Sequence, residues 1–464
     1  MTVSDPLEAL AGVVEDAWLV GGALRDRLLG RPTADYDVAI AGDPERVARA
    51  LARSASGYAF ALSEGFGVWR VLAHRGAWQV DILPLAGETI EADLAQRDLT
   101  VNAIAEPLAG GDYVDPFGGL DDLRARRLRM VSPQGFAHDP LRTLRLARLA
   151  CELDFAVEAE TASIARRNAA GLADVAPERI FSELKRVVSA ERALEGLDLM
   201  DETGVTEVVL PELSALRGID QSHFHHLDVH DHTRAVLAET IELERDPEPT
   251  LAEHADAVRR LLAAPLANDL TRGQALRFGA LLHDVAKPQT RQVTPEGRVT
   301  FFGHDEAGAR LAGAALHRLR ASDRLCEHVA ALTRHHLRLG FLVHETPLSR
   351  RAIYGYLRSC GQVPVDVTLL SVADRLATRG SGSAKAIARH LDLARQLLGE
   401  ALSWVADPPR PPVRGDQLAS ALGIATGPVI GRVLQALEEA SFTGEVDTPE
   451  EAIEHARHLI DHGA

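Results

Sequence analysis

The sequence predicts an α+β protein: a small mixed sheet with helices over residues 1–130, then an almost wholly helical remainder. Three observations carry this. Short β-like runs (Trp18–Val20, Val38–Ile40, Val68–Ala73 and Gln79–Leu83) interleave with helical patterns in the first part. From about residue 131 nearly every segment has helical periodicity. The 464 residues also exceed what one hydrophobic core usually serves, so two or more domains are expected.

Trp18, Leu19 and Val20 form a short apolar strand, and Gly21-Gly22 lets the chain turn tightly into a helix carrying Arg25 and Asp26. A helix N-terminus with free N–H groups, and an arginine one turn in, suits an anionic triphosphate. The next run opens with Asp35-Tyr36-Asp37. Alternation along a strand sets both carboxylates on one face, with Tyr36 on the other. Two adjacent carboxylates repel unless a cation joins them, and Mg²⁺ prefers oxygen ligands in phosphate company. Together these features describe a metal-dependent nucleotidyl-transfer site. Asp81, in Gln79-Val80-Asp81-Ile82-Leu83, is either a third carboxylate on a neighbouring strand or a polar residue facing outward on an edge strand.

Asp115-Pro116-Phe117-Gly118-Gly119-Leu120 supplies a turn-rich boundary. Asp139-Pro140 reads as a helix start, with Asp at the N-cap and Pro at the first helical position. Arg142 and Arg145, three residues apart, share a face of that helix. A proline-stiffened linker, Asp407–Pro412, sets off a last piece that begins at Val413.

The formal charge of −17 excludes indiscriminate coating of nucleic acid. An RNA partner would meet a confined basic strip, for which Arg124, Arg126, Arg127, Arg129, Arg142, Arg145 and Arg148 are the candidates. Cys151, Cys326 and Cys360 lack ligand or disulfide spacing and read as packing residues in a reducing compartment. No secretory signal or membrane-length apolar run is present, so a cytoplasmic location and no membrane partner are expected.

Gly21-Gly22-x-x-Arg25-Asp26, Asp35-x-Asp37 and Arg97-Asp98-Leu99-Thr100-Val101-Asn102-Ala103 resemble, in order, the opening motifs of the bacterial tRNA nucleotidyltransferase and poly(A) polymerase family. Asp139-Pro140-Leu141-Arg142-x-x-Arg145 resembles that family's base-selecting helix. Glu178-Arg179-Ile180 with Glu183-Leu184 resembles the motif after it. The resemblance implies that Asp35 and Asp37 are catalytic and hold Mg²⁺. It implies that Gly22 and Arg25 contact phosphates, that Arg97 lies near the nucleotide, and that Asp98 and Asn102 orient ribose or backbone. Asp139 and Arg142, with Arg145 nearby, would read the base edge of CTP or ATP in place of a template. The chain departs from the family in carrying His138 where Glu is common and Gln96 where Arg is common.

His232, His283-Asp284, His304, His335-His336 and Asp374 follow the order of HD-domain phosphohydrolases. Imidazole and carboxylate ligands on adjacent helices suit one or two transition ions such as Mn²⁺, Co²⁺ or Ni²⁺ with a shared water. Of His335 and His336, the second is the expected ligand. His223, His225, His226 and His230 read as a solvent-exposed run. Arg414-Gly415-Asp416-Gln417-Leu418 through Gly427-Pro428-Val429-Ile430-Gly431 resembles the family's C-terminal RNA-binding segment.

The resemblance thus implies a nucleotidyltransferase head over 1–130 and a helical nucleotide-selecting neck and RNA-binding body over 131–222. An HD domain over 223–400 and a C-terminal helical segment over 401–464 follow. The implied activity is addition of C and A nucleotides to a tRNA 3′ end from CTP and ATP, with a second hydrolase activity. A CC-adding or A-adding enzyme, a poly(A) polymerase and a 2′,3′-cyclic or 2′-phosphate RNA-end hydrolase remain the alternatives. The sequence sets no oligomeric state.

Overall fold

The structure is a computed structural model and describes residues 6–63, 67–73, 76–221, 227–345, 347–379 and 383–462. Residues 1–209 and 210–464 form two compact units.

The first unit is built on a six-stranded sheet. Its strands are β1 (Ala17–Val20), β2 (Asp35–Ile40), β3 (Tyr58–Ser63), β4 (Val68–Leu72), β5 (Gln79–Pro84) and β6 (Ala105–Pro107), in the order β3-β4-β5-β2-β1-β6. Only β2 and β5 run parallel; the other neighbours are antiparallel. Helix Pro44–Ser54 covers one face with Val47, Ala48 and Leu51. The Asp43 side chain starts it by accepting from the Glu45 N–H at 3.0 Å, with Pro44 in the first turn. On the opposite face, Val20 and Ala39 are buried against Ile90 and Leu94 of helix Ile90–Leu94.

β3 and β6 were not expected from the sequence. β3 reads Tyr-Ala-Phe-Ala-Leu-Ser, apolar at almost every position, so polar/apolar alternation gives no signal. β6 has three residues and is recruited by pairing with β1. The edge-strand alternative for Asp81 is corrected: β5 lies inside the sheet, between β4 and β2.

Beyond the sheet, helices Leu141–Leu153, Pro177–Ser189 and Ala193–Glu202 pack together through Leu144, Ala147, Leu184, Val187 and Leu197. Much of the expected basic strip is used internally. Arg127 and Arg129 both clamp the fully buried Asp122, whose carboxylate also accepts from Thr100 Oγ1 at 2.6 Å. Arg126 pairs with Asp154, and Arg124 with Asp121.

In the second unit, helix Val229–Arg245 packs on Arg272–Leu282 and Pro364–Ala377, and His304–Arg318 packs on Asp323–His335. Helices Gly415–Leu422, Pro428–Thr443 and Pro449–Asp461 share a small core of Leu418, Val433, Leu437 and Ala456. All three cysteines are free and buried. No helix among the described residues is long and apolar enough to cross a membrane.

Asp366 is fully buried and receives a fork of hydrogen bonds from Arg272 at 2.6–3.0 Å, with His328 Nε2 3.6 Å away. Asp366→Ala leaves the mostly buried Arg272 guanidinium without its counter-charge. It is expected to lower the unfolding free energy of this unit by about 3–5 kcal/mol, read by chemical denaturation.

Candidate functional site

Two constellations stand apart in sequence, one in each unit. In the first, a cavity of about 450 Å³ opens where the C-terminal end of β1, the N-terminal end of β2 and helix Leu141–Leu153 meet. This volume is typical of a small-molecule site. Asp35 and Asp37 line it together with Gly21, Gly22, Arg25, Arg97, Asp98, Asn102, Arg142 and Arg145. β2 holds Asp35 and Asp37 on one face, and Asp37 lies opposite Val20 across the β1–β2 pair. Gly21 follows with φ of +68°. A Cβ there would come within 3.1 Å of Asp37 Oδ2, so both backbone and space demand glycine. Helix Gly21–Leu28 then starts without a side-chain cap, leaving its first N–H groups without that partner.

Burial pushes the Asp37 carboxyl up to about 6. The Arg97 guanidinium opposes this, while Asp81 and Asp35 add to the rise. A partly desolvated carboxylate crowded by two others is the electrostatic environment that a divalent cation relieves. Asp81 faces the same side, in register with Asp37, but its carboxylate is taken by Arg70, with Nε and Nη2 each donating at 2.7 Å. The expected third carboxylate is therefore a neutralised neighbour of the pair, and Arg70 is the residue that sequence reasoning missed. No local signal marks it, since the two meet only through the β4–β5 register.

A chain of polar contacts fixes the cavity wall. Arg25 is 7% exposed; it donates to Asp26 Oδ1 at 2.9 Å and to Asn102 Oδ1 at 2.8 Å. Asn102 Nδ2 donates to Asp98 Oδ1 at 3.0 Å, and Arg145 bridges Asp98 and Glu183. Burial would raise the Asp98 carboxyl, but Arg145, Asn102 and the Leu99 N–H outweigh it and hold it at about 2. Arg97 pairs with Asp93 at 2.7 Å, and Asp98 with Arg145.

The N-cap expectation for Asp139 is also corrected. Helix Leu141–Leu153 begins without a side-chain cap, and the Asp139 carboxylate accepts from Arg179 Nη2 at 3.1 Å instead. Asp139 does not line the cavity, while Arg142 and Arg145 do. Arg142 is braced by donating to the carbonyls of Gln96 and Arg97, at 2.6 and 3.1 Å, and its buried Nε makes no hydrogen bond. His138 is exposed. Arg148 and Arg186 line the cavity as well and were not singled out as site residues. Their i, i+3 spacing from Arg145 and from Glu183 is the signal that was available.

In the second unit, six side chains converge in two groups, His232/His283/Asp374 and Asp284/His304/His336. His283, Asp284 and His336 are at most 2% exposed. The Nδ1–H groups of His283, His304 and His336 donate to the carbonyls of Ala280, Phe301 and Thr333 at 2.7–2.8 Å. That arrangement fixes each ring through Nδ1 and turns its Nε2 into the cluster. His304 Nε2 and His336 Nε2 then lie 3.3 Å apart. Asp284 Oδ2 lies 3.1 Å from His283 Nε2, and Oδ1 lies 3.4 Å from His304 Nε2. His232 Nε2 lies 3.0 Å from Asp374 Oδ1. Burial, with His283 adding, lowers His336 to about 4, which keeps its ring neutral.

Lone pairs and carboxylate oxygens aimed at one another repel unless a cation sits among them. The buried Asp284 oxygens and His283 Nε2 make no hydrogen bond of good geometry. The donor set fits transition ions, with Asp284 placed to reach both groups. His335 is excluded from the cluster because its Nδ1 accepts from Arg338 Nε at 2.9 Å. Lys287, missed in the sequence, places Nζ 2.7 Å from Asp284 Oδ2; its i, i+3 spacing from Asp284 was the available signal. His230 is half-buried beside Asp231 rather than exposed, and His223, His225 and His226 lie outside the described residues.

Family models match stretches of both units. The model described as the poly A polymerase head domain matches residues 17–85 and 83–129. The model described as a probable RNA and SrmB-binding site of polymerase A matches 154–216, and the HD domain model matches 229–379. An A-adding tRNA nucleotidyltransferase of Deinococcus radiodurans is 38% identical over 442 residues, covering 94% of each chain. The chain belongs to the bacterial tRNA nucleotidyltransferase and poly(A) polymerase family.

Within this family, a CC-adding tRNA nucleotidyltransferase of Thermus thermophilus is 37% identical, covering 94% of this chain and 92% of that one. The fold is that of solved CCA-adding enzymes. An apo form matches with a TM-score of 0.65 at 20% identity, over 98% of this chain and 92% of that chain. The Thermotoga maritima enzyme complexed with tRNA matches with a TM-score of 0.61 at 19% identity, over 98% and 94%.

Proposed function

We propose that this member of the tRNA nucleotidyltransferase family extends the 3′ end of tRNA with C and A nucleotides, taking CTP and ATP without a nucleic-acid template. The observation that carries the proposal is the shared cavity of Asp35, Asp37, the Gly21-Gly22 helix start and the braced arginines Arg142 and Arg145. Asp35 and Asp37 hold Mg²⁺, which when bound lowers the pKa of the attacking 3′-hydroxyl and offsets charge on the leaving pyrophosphate. The 3′ oxygen bonds to the α-phosphorus as the bond to pyrophosphate breaks. Gly22 and the open helix start receive phosphate oxygens, with Arg25 and Arg97 behind them. Asp98 and Asn102 keep the ribose side of the cavity in place through Arg25 and Arg145.

Arg142 faces the cavity where the base edge would sit, while Asp139, held by Arg179 outside the cavity lining, fixes the approach to the same helix. Arg142→Ala is expected to weaken addition and to blur the choice of CTP and ATP over UTP and GTP. The cost is about 1–3 kcal/mol, the price of an unpaired base edge. Single-nucleotide incorporation with each of the four triphosphates reads it, and unchanged selectivity overturns the base-reading role.

In this proposal residues 1–130 carry transfer, 131–222 select the nucleotide and bear RNA, 223–400 form the HD domain, and 401–464 add RNA contacts. His232, His283, Asp284, His304, His336 and Asp374 hold Mn²⁺, Co²⁺ or Ni²⁺ for hydrolysis of 2′,3′-cyclic or 2′-phosphate RNA ends. The inward lone pairs of the cluster favour this second activity.

The deciding experiment incubates the protein with tRNA ending before CCA, with CTP and ATP separately and together, and sequences the products. CCA on the product with both nucleotides supports the full reaction. CC alone or A alone assigns a partial enzyme, and a long A tract assigns a poly(A) polymerase.

A further inference from the structure

We infer that the open half of the sheet face carrying Asp35 and Asp37 is a stacking platform for the unpaired 3′ end of the RNA, with Tyr58 and Phe60 as its stacking side chains. The inference rests on the transfer reading of the carboxylates.

The strand register leads directly from the carboxylates to these rings. Asp37 pairs across to Asp81, Asp81 to Arg70, and Arg70 to Phe60. One step along, Asp35 pairs with Gln79, Gln79 with Leu72, and Leu72 with Tyr58. Residues paired in this way share a face. The other face is the one that helix Pro44–Ser54 covers: Val71 and Val80 are buried there, and Arg49 lies over the Trp69 ring at 5.4 Å. On the carboxylate face, helix Ile90–Leu94 covers the end near β1. Among the described residues nothing covers the β3 end, and Tyr58 is 70% and Phe60 43% exposed.

β3 is also an edge strand with no charge and no proline along Tyr-Ala-Phe-Ala-Leu-Ser. Exposed edges of that composition favour unwanted pairing and are normally guarded. A binding role accounts for the missing guard. Arg70, between the rings and the carboxylates, is neutralised by Asp81, so the platform suits π-faces of bases rather than phosphates. Base–aromatic stacking tolerates any sequence, as a surface serving many different tRNAs requires. β3 lies three strand spacings from β2, about 14 Å. Across that distance, bases just upstream of the attacking 3′-hydroxyl come within reach of the rings as the unpaired end lengthens.

The test compares wild type, Tyr58→Ala/Phe60→Ala and the conservative Tyr58→Phe/Phe60→Tyr in the full chain. The alanine pair is expected to raise KM for tRNA about tenfold or more, in line with about 1–3 kcal/mol per stacked base. KM for CTP and kcat at saturating tRNA stay unchanged, and the conservative pair restores the tRNA KM. Fluorescence anisotropy with tRNA bearing or lacking its unpaired 3′ nucleotides reads the platform without catalysis. The alanine pair should weaken binding only of the first. If wild type transfers no nucleotide, the transfer reading fails, while the binding comparison still decides the platform. Equal affinity of wild type and the alanine pair for the overhanging tRNA overturns the inference. So does sedimentation showing that wild type self-associates and the alanine pair does not, with tRNA affinity unchanged; that result assigns the edge to a second copy of the chain.

Discussion

Asp37→Asn is expected to reduce nucleotide addition by about 10³-fold or more, about 4 kcal/mol of transition-state stabilisation, without lowering the melting temperature. The carboxylate is half-buried, and desolvation raises it to about 6 against the pull of Arg97, with Asp81 and Asp35 adding to the rise. An amide of the same shape removes that repulsion and also removes the metal-binding charge. Stability and activity should therefore separate. Asp35→Ala is expected to have the same effect on addition, measured at saturating Mg²⁺ with CTP on tRNA ending before CCA. Addition within tenfold of wild type by either folded variant removes that carboxylate from the metal site.

His283→Ala and Asp284→Asn are expected to abolish Mn²⁺-, Co²⁺- or Ni²⁺-stimulated hydrolysis of 2′,3′-cyclic and 2′-phosphate RNA ends while leaving nucleotide addition in place. Asp284 reaches both groups of ligands, with Oδ2 toward His283 and Oδ1 toward His304. Losing it therefore empties the shared position, whereas the transfer cavity lies in the other compact unit and has its own carboxylates. Both activities should be measured on the same preparations, with circular dichroism as the folding control. Loss of nucleotide addition in a folded His283→Ala variant overturns the independence of the two sites. Lack of metal-stimulated hydrolysis in wild type assigns the histidines to structure.

Local chemistry made much of the site legible in advance. Asp-x-Asp needs only strand alternation to share a face, and β2 places Asp35 and Asp37 that way. Gly21 needs only the tight turn between β1 and the following helix, and its positive φ beside the Asp37 carboxylate shows why no other residue stands there. Arg142 and Arg145 need only a helical spacing of three to line one cavity.

Partner choice was not legible. Asp81 bonds Arg70 rather than standing free, and Asp139 serves Arg179 rather than a helix end. In each case the sequence determined which chemical group was present and which side of its own element it occupied. Only the tertiary structure decided what stood opposite. Periodicity is a property of one strand or helix. The partner of a buried charge is set by sheet register and by helix packing between segments distant in sequence, where the cost of an unpaired charge selects one arrangement. Strand β3 shows the same division. Its mostly apolar run carried no alternation, and its place at the sheet edge, with Tyr58 and Phe60 facing out on the carboxylate side, exists only through its pairing with β4.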